Sequence, residues 1–166
     1  EYVVIPWLED TLRSQLDDYK RIAQKANEAA LLCKKAGLKL AYHNHDFEFT
    51  KFGNQTGYGI LLQETDKKLV DFELDLYWVV RSGNDPLQLF QNHAGRFTMW
   101  HVKDMDKNNP AWNAEIGEGN INFKAIFAQA KASGMQHFFV EQETNYSPNP
   151  MESIKASCQY VSKQLL

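Results

Sequence analysis

Five short apolar runs, each followed by a helical pattern, constrain this chain more than any other feature. The runs are 2–7, 38–43, 69–80, 97–102 and 137–140. Strand and helix in alternation, with short turns, imply parallel strands joined by right-handed crossovers. The runs are too apolar for a sheet with one wet face, so both faces should be covered, as in a wound sheet or a barrel. The reading is therefore α/β, one domain over 1–166.

The helical patterns carry their own punctuation. Ser14 and Asp17 resemble a capping box before a helix over 15–36, with Leu16, Tyr19, Ile22, Ala23, Ala26, Ala30 and Cys33 on one stripe and Gly37 as its C-terminal glycine. A short helix is expected over 58–65. Asp85-Pro86 opens another, Asn122 caps one running to Ser133, and Asn149-Pro150 opens the last, with Ile154, Cys158, Val161 and Leu165 as its stripe. Segments 49–57 and 104–120 read as loops. Cys33 and Cys158, both on helical stripes, read as buried small hydrophobes.

Charge and hydropathy exclude some functions. Net charge is -3 with no basic run, which argues against a nucleic-acid surface. No apolar stretch approaches the roughly 18 residues of a membrane span.

In parallel sheets, chemistry gathers at the carboxyl ends of the strands. The second run ends in Tyr42-His43-Asn44-His45-Asp46-Phe47-Glu48-Phe49, with His43 and His45 on one face. The third offers Glu73, Asp75 and Tyr77 on one strand face, the fourth His101 and Lys103, the fifth Glu141 and Glu143. Charges inside apolar strands are costly unless paired or metal-bound. Asp75, His101 and Glu141 together suit one divalent ion, Mn²⁺ or Mg²⁺, with Co²⁺ or Zn²⁺ as alternatives. The competing arrangement is ion pairing, Asp75 with Lys103 or Glu141 with His101. Gly117-Glu118-Gly119 is either a phosphate-binding turn or, since Glu118 would repel a phosphate, a plain turn.

These pieces, with Glu73-Leu74-Asp75-Leu76-Tyr77-Trp78, Trp100-His101-Val102-Lys103-Asp104 and Phe139-Val140-Glu141, resemble the sugar phosphate isomerase/epimerase family of xylose-isomerase-like barrels, which also holds tagatose epimerases and inosose dehydratases. The resemblance implies an incomplete TIM barrel, the last five of its eight strands, with 2–7 as the fourth. It implies metal ligands Glu48, Asp75, His101 and Glu141, with Glu48 and Glu141 as the acid/base pair. His43, His45, Trp78 and Lys103 would contact substrate; Trp78 stands where many relatives carry a histidine.

The function expected on this basis is a metal-dependent isomerase or epimerase of a sugar or keto-sugar, phosphorylated or not, working through an enediolate. A keto-sugar dehydratase or hydratase on the same site, or a non-catalytic sugar-binding remnant, are the alternatives; an apurinic endonuclease fits poorly because the histidines number five and the net charge is -3. Five strands cannot close such a barrel. The first and fifth runs should therefore be open edges, with Tyr2, Val4 and Phe139 partly bare. A homo-oligomer or an N-terminal segment would cover them.

Overall fold

A computed structural model describes residues 1–166. The chain divides into two compact units, Glu1–Leu74 and Asp75–Leu166. The first holds β1 (Tyr2–Ile5), α1 (Leu16–Lys35), β2 (Lys39–His43), the small hairpin β3 (Lys51–Phe52) and β4 (Gln55–Thr56), α2 (Gly57–Glu64) and β5 (Val70–Asp75), whose last residue opens the second unit. β1, β2 and β5 are parallel neighbours, with Val4 opposite Ala41 and His43 opposite Glu73.

Crossover helix α1 buries Tyr19, Ile22, Ala23, Ala26 and Ala30, one stripe at helical spacing. Its capping box sits one residue later than the sequence suggests. Gln15 is the N-cap and Asp18 its reciprocal partner, because Asp18 accepts both the Gln15 amide and the Ser14 hydroxyl. At the start of α2 only glycine fits: a β-carbon on Gly57 would lie 2.2 Å from the Tyr19 ring.

The second unit continues with α3 (Leu76–Arg81), α4 (Pro86–Asn92), β6 (Met99–Val102), the hairpin β7 (Asp104–Met105) and β8 (Asn113–Ala114), α5 (Phe123–Phe127), α6 (Ala130–Ser133), β9 (His137–Val140) and α7 (Pro150–Gln164). β6 and β9 are parallel, His101 opposite Phe139. The core centres on fully buried Trp100, stacked on Phe90 at 5.2 Å and meeting the Phe127 ring edge-on.

Four expectations need correction. The third run is not one strand to Val80. β5 stops at Asp75, whose side chain caps α3 through the Trp78 amide, so Tyr77 lies on a helix and not on the strand face. The helix expected over 122–133 is two, broken at Gln129. Cys158 is exposed and Cys33 only half-buried. The buried face of α7 is Ser153, Ser157 and Val161, while Ile154 is exposed. The serines win because their hydroxyls have partners, Ser153 on Glu115 and Ser157 on the Ile116 amide.

The inner strands β2, β5 and β6 are almost wholly buried, whereas Val3 on β1 and Phe139 on β9 are 43% and 48% exposed. Tyr2 and Val4 are half-buried. No helix is long and apolar enough to cross a membrane.

Candidate functional site

In the first unit, polar groups gather where β2 ends. His43 is buried, its Nδ1 3.1 Å from Glu73 Oε2, a pairing that follows from the register. The His45 ring lies edge-on to His43 at 4.8 Å and to Trp7 at 4.5 Å, and stacks on Phe47. Arg13 covers the other side, its guanidinium 3.6 Å from the Phe47 ring centre. Glu48 is fully buried in a single turn over Phe47–Phe49. Its Oε1 accepts the Tyr42 hydroxyl and its Oε2 the His45 amide, each at 2.8 Å. Burial pushes its pKa up to about 7, against the pull of those two bonds.

In the second unit, Asp75, His101, Lys103 and Glu141 come together. Asp75 is fully buried; Oδ1 caps α3 and Oδ2 lies 3.9 Å from His101 Nδ1. The same nitrogen is 3.1 Å from Glu141 Oε2, which also accepts from Lys103 at 3.2 Å. The hydrogen bond from His101 pulls the Glu141 pKa down to about 2, with Lys103 helping and burial opposing. Lys103 is buried to 1% exposure. Burial disfavours its charge, but Asp75, Glu143 and Glu141 outweigh that and raise its pKa. The Tyr77 and Trp78 rings lie 5.3 and 5.6 Å from its ammonium, and Arg81 lies 4.8 Å from the Trp78 ring. Two cations thus lie near the half-buried Trp78 ring.

Sequence reasoning overlooked several supporting residues. Glu73 is legible at its strand end, but its pairing with His43 is not. Buried Asn113 offers Oδ1 to the amides of Glu143 and Thr144, fixing the chain just beyond Glu141. Nothing local in the sequence marks it. Asp104 is fully buried and accepts the amides of Met105, Gly117, Gly119 and Ile121. The glycine turn is therefore not a phosphate cradle, since the chain's own carboxylate fills it. Gly119 has to be glycine, because a β-carbon would lie 2.2 Å from Asp104 Oδ1. The spacing of Asp104 and the two glycines was the available signal.

Asp75 and His101 are the second unit's donors that could hold a divalent ion. These two suit such an ion, a carboxylate oxygen 3.9 Å from an imidazole nitrogen being a mixture that fits first-row divalent metals and Mg²⁺. Glu141 is ion-paired with that nitrogen and with Lys103, the competing arrangement the sequence offered.

Parallel βα units with ionisable groups at the carboxyl ends of their strands are the layout of a TIM-barrel enzyme. The chain belongs to the xylose isomerase-like TIM barrel family, whose model matches residues 3–164, and its five parallel strands are βα units of an incomplete barrel. A crystal structure of a sugar phosphate isomerase/epimerase from Parabacteroides distasonis matches with a TM-score of 0.84 at 31% identity, covering 98% of this chain and 57% of that one. An inosose dehydratase of Geobacillus thermodenitrificans is 27% identical over 166 residues, 87% of this chain and 54% of that protein. The fold is also that of the IOLI protein with a binding zinc atom, at TM-score 0.72 and 18% identity, over 98% of this chain and 62% of that one. The family is one of sugar-modifying enzymes. The chain spans about half the length of the curated relatives it matches.

Proposed function

We propose that this chain carries the chemical half of a metal-dependent isomerase or epimerase acting on a sugar or keto-sugar through an enediolate. The observation that carries the reading is the meeting of Asp75, His101 and Glu141 around one imidazole nitrogen. These three would hold the ion, with Glu48 as the fourth ligand that the family resemblance implies. Bound there, a divalent ion supplies Lewis acidity that eases loss of a proton beside a carbonyl. Glu141 takes that proton as base, and a second carboxyl, Glu48 by the family resemblance, returns one as acid. Trp78 offers a flat face for the sugar ring, and Lys103 and the histidines line the remainder. His43 is kept in place by Glu73, and His45 by Trp7 and Phe47.

A second reading, dehydration of a keto-sugar, is favoured by the inosose dehydratase relatives. Proton removal by Glu141 is the same in both; the outcome differs in whether a β-hydroxyl then leaves. The test is an assay of the full-length protein on ketoses, 3-keto-sugars and inososes, with and without chelator. Epimer formation supports the first reading and an unsaturated product the second. Undiminished turnover after complete metal removal, or in E141Q, overturns both.

A further inference from the structure

We propose that Glu143 is a positioning residue: it holds the buried ammonium of Lys103 so that Glu141 can leave that ammonium for a divalent cation. This rests on the reading of Glu141 as a metal ligand. Lys103 is fully buried, and its Nζ bonds to both Glu141 Oε2 and Glu143 Oε2. A single oxygen of Glu141 thus receives two donors, Lys103 and His101. A cation bound by Asp75, His101 and Glu141 would compete with the lysine for that oxygen.

A buried ammonium stripped of its carboxylate is strongly unfavourable. With Glu141 as its sole hydrogen-bond partner, and Asp75 also drawn to the cation, Lys103 would resist every metal-binding event. Glu143 removes the conflict. Its side chain is 57% exposed, yet it turns back to reach a buried lysine. It can do so because Asn113 Oδ1 fixes its amide at 2.8 Å and the next amide at 3.2 Å. The Tyr77 and Trp78 rings add a cation–π surface near the ammonium. Lys103 therefore keeps a counter-charge whether Glu141 faces it or the metal.

The test is calorimetric titration of the full-length, chelator-treated protein with Mn²⁺ at fixed pH and ionic strength. E143Q should weaken Mn²⁺ binding about tenfold, as expected for coupled charges in contact. E143D, which keeps the charge, should recover most of the loss. In a K103M background, adding E143Q should change the affinity by less than about twofold, because Glu143 acts through the lysine. Equal affinity of E143Q and parent would overturn the proposal. So would a full tenfold loss in the K103M background, which would mark a direct effect of charge on the ion. Absence of Mn²⁺ binding by the parent would instead sink the metal reading beneath it. Glu143 is exposed, so the comparison of E143Q with the parent does not depend on the buried variant folding.

Discussion

Two glutamates that follow strand ends meet opposite fates. Glu48, past β2, is sealed in with a phenol and a main-chain amide, and burial drives its pKa up to about 7. Glu141, past β9, faces an imidazole and an ammonium, and its pKa falls to about 2. The contrast is between fixed dipoles and mobile charges. Partners belonging to the local fold hold a carboxyl in one geometry. Charged side chains can exchange partners, and a carboxylate they hold stays ionised, as a base or a metal ligand must, whereas the sealed one holds its proton. Asp104 is the second unit's counterpart of Glu48, an acid engaged by its own backbone.

The largest effect expected is on turnover. Glu141→Gln should lower kcat of the full-length enzyme by about a thousandfold, in the range for loss of a general base, with metal affinity falling far less. A stability loss with normal turnover would invert the comparison. Next is Asp104→Asn, which leaves one acceptor oxygen where two served four amides. Denaturant unfolding should show a loss of about 3–4 kcal/mol, and a change under about 1 kcal/mol would mean the loop 105–121 holds without it.

The pH dependence of stability separates the two glutamates by sign. Glu48 has a folded pKa raised from 4.5 to about 7. Its contribution is complete below about pH 4.5 and is lost as pH rises through 7, by at most about 3 kcal/mol. Glu141, lowered to about 2, contributes above about pH 4.5 and loses that contribution as pH falls toward 2. Urea midpoints of chelated protein between pH 5 and 8 should decline for the parent and stay flat for Glu48→Gln. An equal decline in both would assign the slope to other groups. The smallest effect is at Cys158: Cys158→Ser on the exposed face of α7 should change stability by less than about 0.5 kcal/mol.

Much of the site was legible because strand ends are legible. An apolar run that stops at a charge marks a carboxyl end, and the nearness of Asp75, His101 and Glu141 follows from their places at such ends. Local rules failed where a side chain chose a distant partner. Asp75 turned strand into helix by capping Trp78, and no periodicity announces that exchange. Ser153 and Ser157 displaced the apolar stripe of α7 inward because Glu115 and the Ile116 amide were waiting for them. Asn113 matters through contacts with residues 143 and 144, some thirty positions away.

The sequence by itself determined the alternation of strands and helices, the family, and which strand ends carry ionisable groups, since these depend on neighbours within a few residues. Tertiary structure alone decided the partners: Glu48 with Tyr42 and its own backbone turn, Glu141 with His101 and Lys103 across some forty residues. The physical reason is that a charge's energy depends on burial and on distances through space, and both are set only when the strands are laid side by side.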